Sequence, residues 1–225
     1  MVLNKLLNDL NIPYRHIDIY REAFTHPSFS NEKNGRRHYE RLEFLGDAVL
    51  QYCVSKFIFE KYPRKSEGEL TMLRSKLVRD ESLARFAREL NLGPYIYLGT
   101  GEEHSGGRER NSVLADIFEA FIGAISQDCG IDYVLQILEK TIFKHVEDVD
   151  YEDITDFKTK LQELIQADQR KTVTYELLST VGPANAPIFE VAVMMDDMKL
   201  GVGKGSSKKR AEQKAAKDAL TKLAK

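Results

Sequence analysis

Through the first 150 residues, apolar positions recur at intervals of three and four in the runs 41–58, 70–90, 112–126 and 131–145. That spacing belongs to helices with one buried face, so it predicts an almost wholly helical N-terminal half, with loops at 62–67 and 99–110. Near residue 155 the period changes. Phe157, Leu161, Leu164 and Ile165 predict a helix, Val173, Tyr175 and Leu177 alternate as a strand, and Phe189, Val191 and Val193 alternate as another. Asp196 and Asp197 then turn the chain into a third strand over 198–202. Helical spacing returns after Ser207 through Ala211, Ala215, Ala216, Ala219, Leu220 and Leu223. The expected organisation is two domains: an all-α domain over 1–150, a linker at 151–155, and an α+β domain over 156–225 in the order α-β-β-β-α.

Composition narrows the class. With 42% hydrophobic and 30% charged residues in 225, the chain has the balance of a folded globular protein and not of a fibre or a disordered tail. The longest apolar stretch, 117–125, is interrupted by Glu119 and is too short to span a bilayer, and residues 1–16 carry an acid where a secretion signal needs an apolar run. A cytoplasmic location without a membrane partner is expected. Cys53 and Cys129 stand 76 positions apart, which suits neither a disulfide framework nor a zinc knuckle, so two buried reduced thiols are expected.

Charge is divided unevenly. Residues 1–154 hold 20 basic against 26 acidic side chains, whereas 155–225 hold 13 against 9. Eight of those basic residues fall in 204–225, a concentration that could meet a polyanion or could be a solvated helix face.

Two groups of acids carry the candidate chemistry. In HYERLEFLGDAVL, Glu40, Glu43 and Asp47 lie at i, i+3 and i+7, within an arc of about 60°, with Leu42, Leu45 and Val49 expected on the opposite side. In SVLADIFEAFIGAI, Asp116 and Glu119 are the only charges in an otherwise apolar or small run, where ionised groups need a partner. Two such helices could present an all-oxygen site suited to Mg²⁺ or Mn²⁺, the kind used for phosphoryl chemistry; pairing with Arg or Lys from other helices is the alternative. No histidine metal site is suggested, and His26 reads as a satisfied polar residue near the core. Neither GTGEEHSGG nor GVGKGSSKK matches a phosphate-binding loop, so no nucleotide cofactor is expected.

The string ERLEFLGDAVL at 40–50 resembles the signature of the bacterial ribonuclease III family, and THPSF at 25–29, EGELT at 67–71, GTGEE at 99–103 and LADIFEAFIGAI at 114–125 follow in the family's order. The resemblance spans essentially the whole chain. It implies an endoribonuclease in which Glu43, Asp47, Asp116 and Glu119 bind Mg²⁺, with Mn²⁺ as a substitute, and Asp47 and Glu119 carry catalysis. Glu40 and Glu67 would be accessory acids. A metal-activated water would attack double-stranded RNA and leave a 5′-phosphate and a 3′-hydroxyl, in the processing of structured precursors such as ribosomal RNA. Phe44, which spacing alone would assign to core packing, would enter a socket on a second subunit of a homodimer.

The second domain, with GKGSSKKRAEQKAA at 203–216, resembles the double-stranded-RNA-binding domain. Lys208 and Lys209 would grip phosphates. Thr159, Gln162, Glu163 and Gln166, otherwise a plain solvated stripe, would face a minor groove. Gly201, Gly203 and Gly205 are expected to let the chain turn tightly into the last helix. Asn185 stands where the family usually has histidine, and Ala48 where many relatives have serine. The rival function is a non-catalytic duplex-RNA-binding regulator; a phosphohydrolase of small nucleotides would leave the basic domain without a task.

Overall fold

The computed structural model describes residues 3–33, 35, 37–147, 157–169, 172–183 and 185–223. The chain divides into two units, 1–149 and 150–225; the expected linker at 151–155 lies outside the described residues.

The first unit is built of helices, with one isolated bridge between Thr25 and Tyr97: α1 Leu3–Asp9, α2 Ile17–Ala23, α3 Pro27–Glu32, α4 Glu40–Lys61, α5 Glu67–Leu77, α6 Asp80–Glu89, α7 Thr100–His104, α8 Asn111–Asp128 and α9 Ile131–Lys140. Its axis is α8, which packs against α2, α4, α6 and α9. Between Val113 and Ile125 only Asp116 and Glu119 escape full burial, which is why this helix is apolar on nearly every side. Phe121 meets Phe24 and Tyr20 edge-on at 5.6 and 6.2 Å, and Phe118 lies 6.1 Å from Phe86. Burying each of these rings contributes about 1.5–3 kcal/mol.

The α4–α8 crossing is unusually close. A Cβ on Gly46 would sit 1.8 Å from the Glu119 carbonyl oxygen, and one on Gly123 would sit 2.2 Å from that of Leu42. The two backbones therefore touch where each carries a glycine. This corrects the expected seam on α4: the buried line runs through Leu42, Gly46, Leu50, Cys53, Val54 and Ile58, while Leu45 and Val49 are only half-buried. The acids flank the buried line instead of opposing it.

The run 70–90, read as one helix, is two. Val78 closes α5, Arg79 is extended, and the Ser82 hydroxyl donates to the Lys76 carbonyl at 2.8 Å across the corner. No glycine or proline marks this break. Ser66 starts α5 with a capping box in which Glu69 accepts from the Ser66 N–H at 2.9 Å, so Glu69 is a buried structural acid. Asp128, also buried, accepts from the N–H groups of Arg15 and His16 at 2.8 and 3.1 Å and so ties the start of α2 to the end of α8. The expected loop at 99–110 holds α7 and a 3₁₀ turn at Gly107–Glu109, fastened by Arg108–Glu103 and Arg110–Glu102 pairs. Both cysteines are free; Cys53 is buried, but Cys129, just past α8, is only partly so.

The second unit runs α10 Phe157–Gln169, β1 Val173–Val181, β2 Ile188–Met195, β3 Met198–Gly205 and α11 Lys208–Leu223, with an antiparallel sheet in the order β1-β2-β3. Leu161 and Ile165 of α10 share a core with Val193, Leu200, Ala215, Ala216 and Ala219. The glycines of β3 do not serve the turn that the sequence suggests, since none has a positive φ. Cβ atoms on Gly201, Gly203 and Gly205 would lie 2.2–2.7 Å from backbone atoms of α11. Bare glycines on the strand and alanines on the helix let α11 press directly on the sheet. Asp218 of α11 also accepts from the Val202 N–H on β3 at 2.9 Å.

Gly46→Ala should destabilise the first unit by about 3 kcal/mol or more, because neither contacting backbone can yield. Gly68→Ala, at an open site on α5, should change stability by less than about 1 kcal/mol. Urea unfolding followed by circular dichroism measures both.

Candidate active site

The glycine crossing brings together the acids of two sequence segments. Gly46 sits between Glu43 and Asp47 on α4 and rests on the backbone of Glu119 itself. Glu43, Asp116 and Glu119 are half-buried and Asp47 is exposed. Burial, then the charges of Asp116, Glu40 and Asp47, push the Glu43 carboxyl up to about 7. Burial, then Asp47, Glu43, Asp116 and Asp80, push Glu119 up to about 8. Asp116 is also raised by burial, against the opposing effect of a hydrogen bond from Tyr39. Glu119 thus lies in the field of the other three predicted carboxylates, and Glu43 in that of Asp116 and Asp47.

Among the described residues none of the four forms an ion pair, so the salt-bridge alternative has no support there. Their hydrogen-bond donors are neutral: Tyr39 Oη to Asp116 Oδ2 at 2.8 Å, and Gln51 Nε2 to Asp47 Oδ1 at 3.3 Å. Among the described residues no three His, Cys, Asp or Glu side chains are drawn together tightly enough to hold an ion. The cluster is therefore open. An all-oxygen, uncompensated donor set fits a hard divalent cation.

The accessory acids separate. Glu40 is exposed, 3.7 Å from His38, and adds to the field on Glu43. Glu67 is not in the cluster: it accepts from the Thr71 hydroxyl at 2.9 Å in a groove beside the second half of α4, with Tyr52, Lys56, Phe59 and Arg74. His26 is a satisfied polar residue as expected, capping α3 through the Ser28 N–H. Phe44 is 81% exposed, so it is not a core residue of this chain.

Sequence reasoning missed Tyr39, Asp80 and the glycine pair. Asp80 was hidden inside a run read as one continuous helix. The glycines did give a signal, since mid-helix glycine costs about 1 kcal/mol and needs a compensating close approach.

In the second unit Thr159, Glu163 and Gln166 are exposed on α10 and Gln162 is half-buried. Lys208 and Lys209 are exposed in the first turn of α11. Lys158 joins these two regions, its Nζ lying 2.6 Å from Glu212 and its N–H donating to Gln213 at 3.3 Å. Asn185 is exposed in the β1–β2 turn, which Ala186 N–H closes onto Pro183 O at 2.9 Å after Gly182 at φ +100. Ser207 caps α11, leaving three basic side chains at a helix start, an arrangement unfavourable to the helix dipole unless an anion joins it.

A helical unit with an open carboxylate cluster, followed by a basic α-β-β-β-α unit, is the build of a nucleic-acid hydrolase with a duplex-binding module. Residues 16–146 match the Ribonuclease-III-like family model, and 157–223 match the double-stranded RNA binding motif. The chain is 50% identical to Ribonuclease 3 of Streptococcus mutans over 97% of its own length and 96% of that protein's. Against Ribonuclease 3 of Staphylococcus haemolyticus the identity is 46%, over 97% and 90%. The solved nuclease domain of ribonuclease III from Campylobacter jejuni covers 64% of this chain, and the match covers 97% of that domain, with 38% identity and a TM-score of 0.59. The chain belongs to the ribonuclease III family of endoribonucleases, a family that depends on divalent metal, and it carries a double-stranded RNA binding motif. Among the described residues no helix is long and apolar enough to cross a membrane.

Carboxyls held to about 7 and about 8, against an ordinary 4.5, favour folding fully below the ordinary value and lose that contribution as pH rises through the folded values. In EDTA, the unfolding temperature should therefore fall between pH 5 and pH 8.5, and Glu119→Gln should flatten the decline. Thermal scans across that range test this; an equally steep decline in the variant would contradict it.

Proposed function

We propose that this chain is a homodimeric, Mg²⁺-dependent endoribonuclease of double-stranded RNA, with Mn²⁺ as a substitute, acting on structured precursors such as ribosomal RNA stems in the cytoplasm. The observation that carries the reading is the set of unpaired carboxylates gathered across the Gly46–Gly123 crossing. Glu43, Asp47, Asp116 and Glu119 would hold the cation. When bound, it supplies charge neutralisation for an RNA phosphate and Lewis acidity toward the attacking water. Asp47, exposed at the rim, and Glu119, half-buried, would position water and leaving group, giving a 5′-phosphate and a 3′-hydroxyl.

Several features support the partners. Phe44, Tyr52 and Phe59 are 81, 61 and 69% exposed and fall within an arc of about 80° on α4, an apolar stripe unmatched by this unit. Beside Phe44 lies a groove of about 1200 Å³ whose lining includes Ile19, Phe29, Leu45 and Tyr97; it would receive Phe44 of a second copy in an isologous dimer. The Campylobacter jejuni nuclease domain has a region involved in dimer formation. Lys208 and Lys209 would contact phosphates, and Thr159, Gln162, Glu163, Gln166 and Asn185 would face minor grooves, reading duplex shape. The free, buried Cys53 thiol suits a reducing compartment.

A labelled RNA duplex should be cut in Mg²⁺, left intact in EDTA, and bound but not cut by Glu119→Gln. Binding without cutting by the unaltered chain in either Mg²⁺ or Mn²⁺ would favour the non-catalytic regulator. Replacing Lys208 and Lys209 together by alanine should weaken duplex binding uniformly across sequences and lower the salt-dependence slope by roughly 2, as read by filter binding over a salt series.

A further inference from the structure

Among the four clustered carboxylates, Asp116 alone accepts a hydrogen bond from a buried side chain. Tyr39, 4% exposed and one residue ahead of α4, donates its hydroxyl proton to Oδ2 at 2.8 Å. The tyrosine is itself held from behind. Its backbone N–H donates to the Thr25 carbonyl at 3.0 Å, and its ring meets His26 edge-on at 5.7 Å. His26 Nδ1 accepts from the Ser28 N–H at 3.0 Å, so the Ser28 hydroxyl, 2.8 Å from the same nitrogen, is a second donor to it. Ser28 Oγ in turn accepts from the Gly99 N–H at 2.9 Å. Gly99 lies so near that a Cβ there would sit 2.8 Å from the Ser28 carbonyl oxygen. His26 N–H donates to Tyr97 O at 3.0 Å, closing the frame.

The THPSF and GTGEE segments, which place no side chain among the four carboxylates, meet in this frame. Its outlet is the phenol on Asp116. A neutral donor suits the position, because it fixes one carboxylate oxygen without cancelling the negative charge, whereas lysine or arginine would do both. With Oδ2 engaged, Oδ1 remains unencumbered. Groups that hydrogen-bond to cation ligands orient them, and losing one costs about 10- to 100-fold in metal affinity or activity.

We propose that Tyr39 is a positioning residue for the cation site, holding Asp116 in its binding orientation, and that the His26–Ser28–Gly99 frame holds Tyr39. The inference rests on the reading of Asp116 as a cation ligand. It makes two otherwise unassigned segments the support of one carboxylate.

Tyr39→Phe keeps the ring and removes only the donor. Binding of Mn²⁺ to the full chain without RNA, followed by electron paramagnetic resonance of free Mn²⁺, should show a dissociation constant raised about 10-fold in this variant. Half-maximal duplex cleavage should need correspondingly more Mg²⁺, with most of the rate recovered at saturation. A merely structural defect would lower the rate without shifting the Mg²⁺ requirement. His26→Ala should weaken Mn²⁺ binding less, and should add little once Tyr39→Phe is present, because it acts through the tyrosine. Unaltered Mn²⁺ affinity in Tyr39→Phe, while Asp116→Asn weakens it, would overturn the inference and leave the cation site standing. Unaltered affinity in Asp116→Asn would overturn the site reading and the inference together. Additive losses from His26→Ala and Tyr39→Phe would overturn the role given to the frame.

Discussion

Helices α4 and α8 meet backbone to backbone at a pair of glycines, and the candidate active site is built around that place. Gly46 and Gly123 remove the side chains that would hold α4 and α8 apart. Glu43 and Asp47 flank the first glycine, and the carbonyl of Glu119 lies against it. Wider helix spacing would separate the carboxylates and relieve their repulsion. The close approach therefore stores a cost of burial first and like-charge repulsion second, visible in the raised carboxyls of Glu43 and Glu119, which a divalent cation would offset. The apolar packing of α8 against Phe24, Tyr20 and Phe86 resists that repulsion.

The second unit solves a different problem with similar means. Glycines on β3 and alanines on α11 bring helix and sheet into direct contact, leaving the polar and basic face of the helix to solvent. Acidic excess sits with the cluster and basic excess with the duplex-binding motif, so the unit that must hold a cation and the unit that must hold a polyanion do not share a charge balance.

Much of this was legible in the residues. Period changes near 155 separated the helical unit from the α-β-β-β-α unit, because burial on one face forces 3.6- or 2-residue spacing. Asp116 and Glu119 stood out because ionised groups in an apolar run demand an explanation, and Glu43 and Asp47 because their spacing puts them on one stripe of a helix. The corner between α5 and α6 was not, since Val78 and Arg79 are ordinary helix residues and the Ser82 hydroxyl that bridges the corner to Lys76 has no distinctive spacing. Tyr39 was equally silent: its role depends on Asp116, 77 positions away, and spacing along one helix carries no such information. The β3 glycines were misread as turn residues because a glycine needed for close approach and one needed for a positive φ look alike in a string of letters.

The bond from Val202 N–H to Asp218 bears on a hazard unrelated to catalysis. β3 is the border of a three-stranded sheet, and such borders carry bare amide donors on which a foreign strand can grow. Here one of those donors is already capped by the chain's own last helix. Many copies crowded along one long transcript would thus be hindered from zipping together through that border.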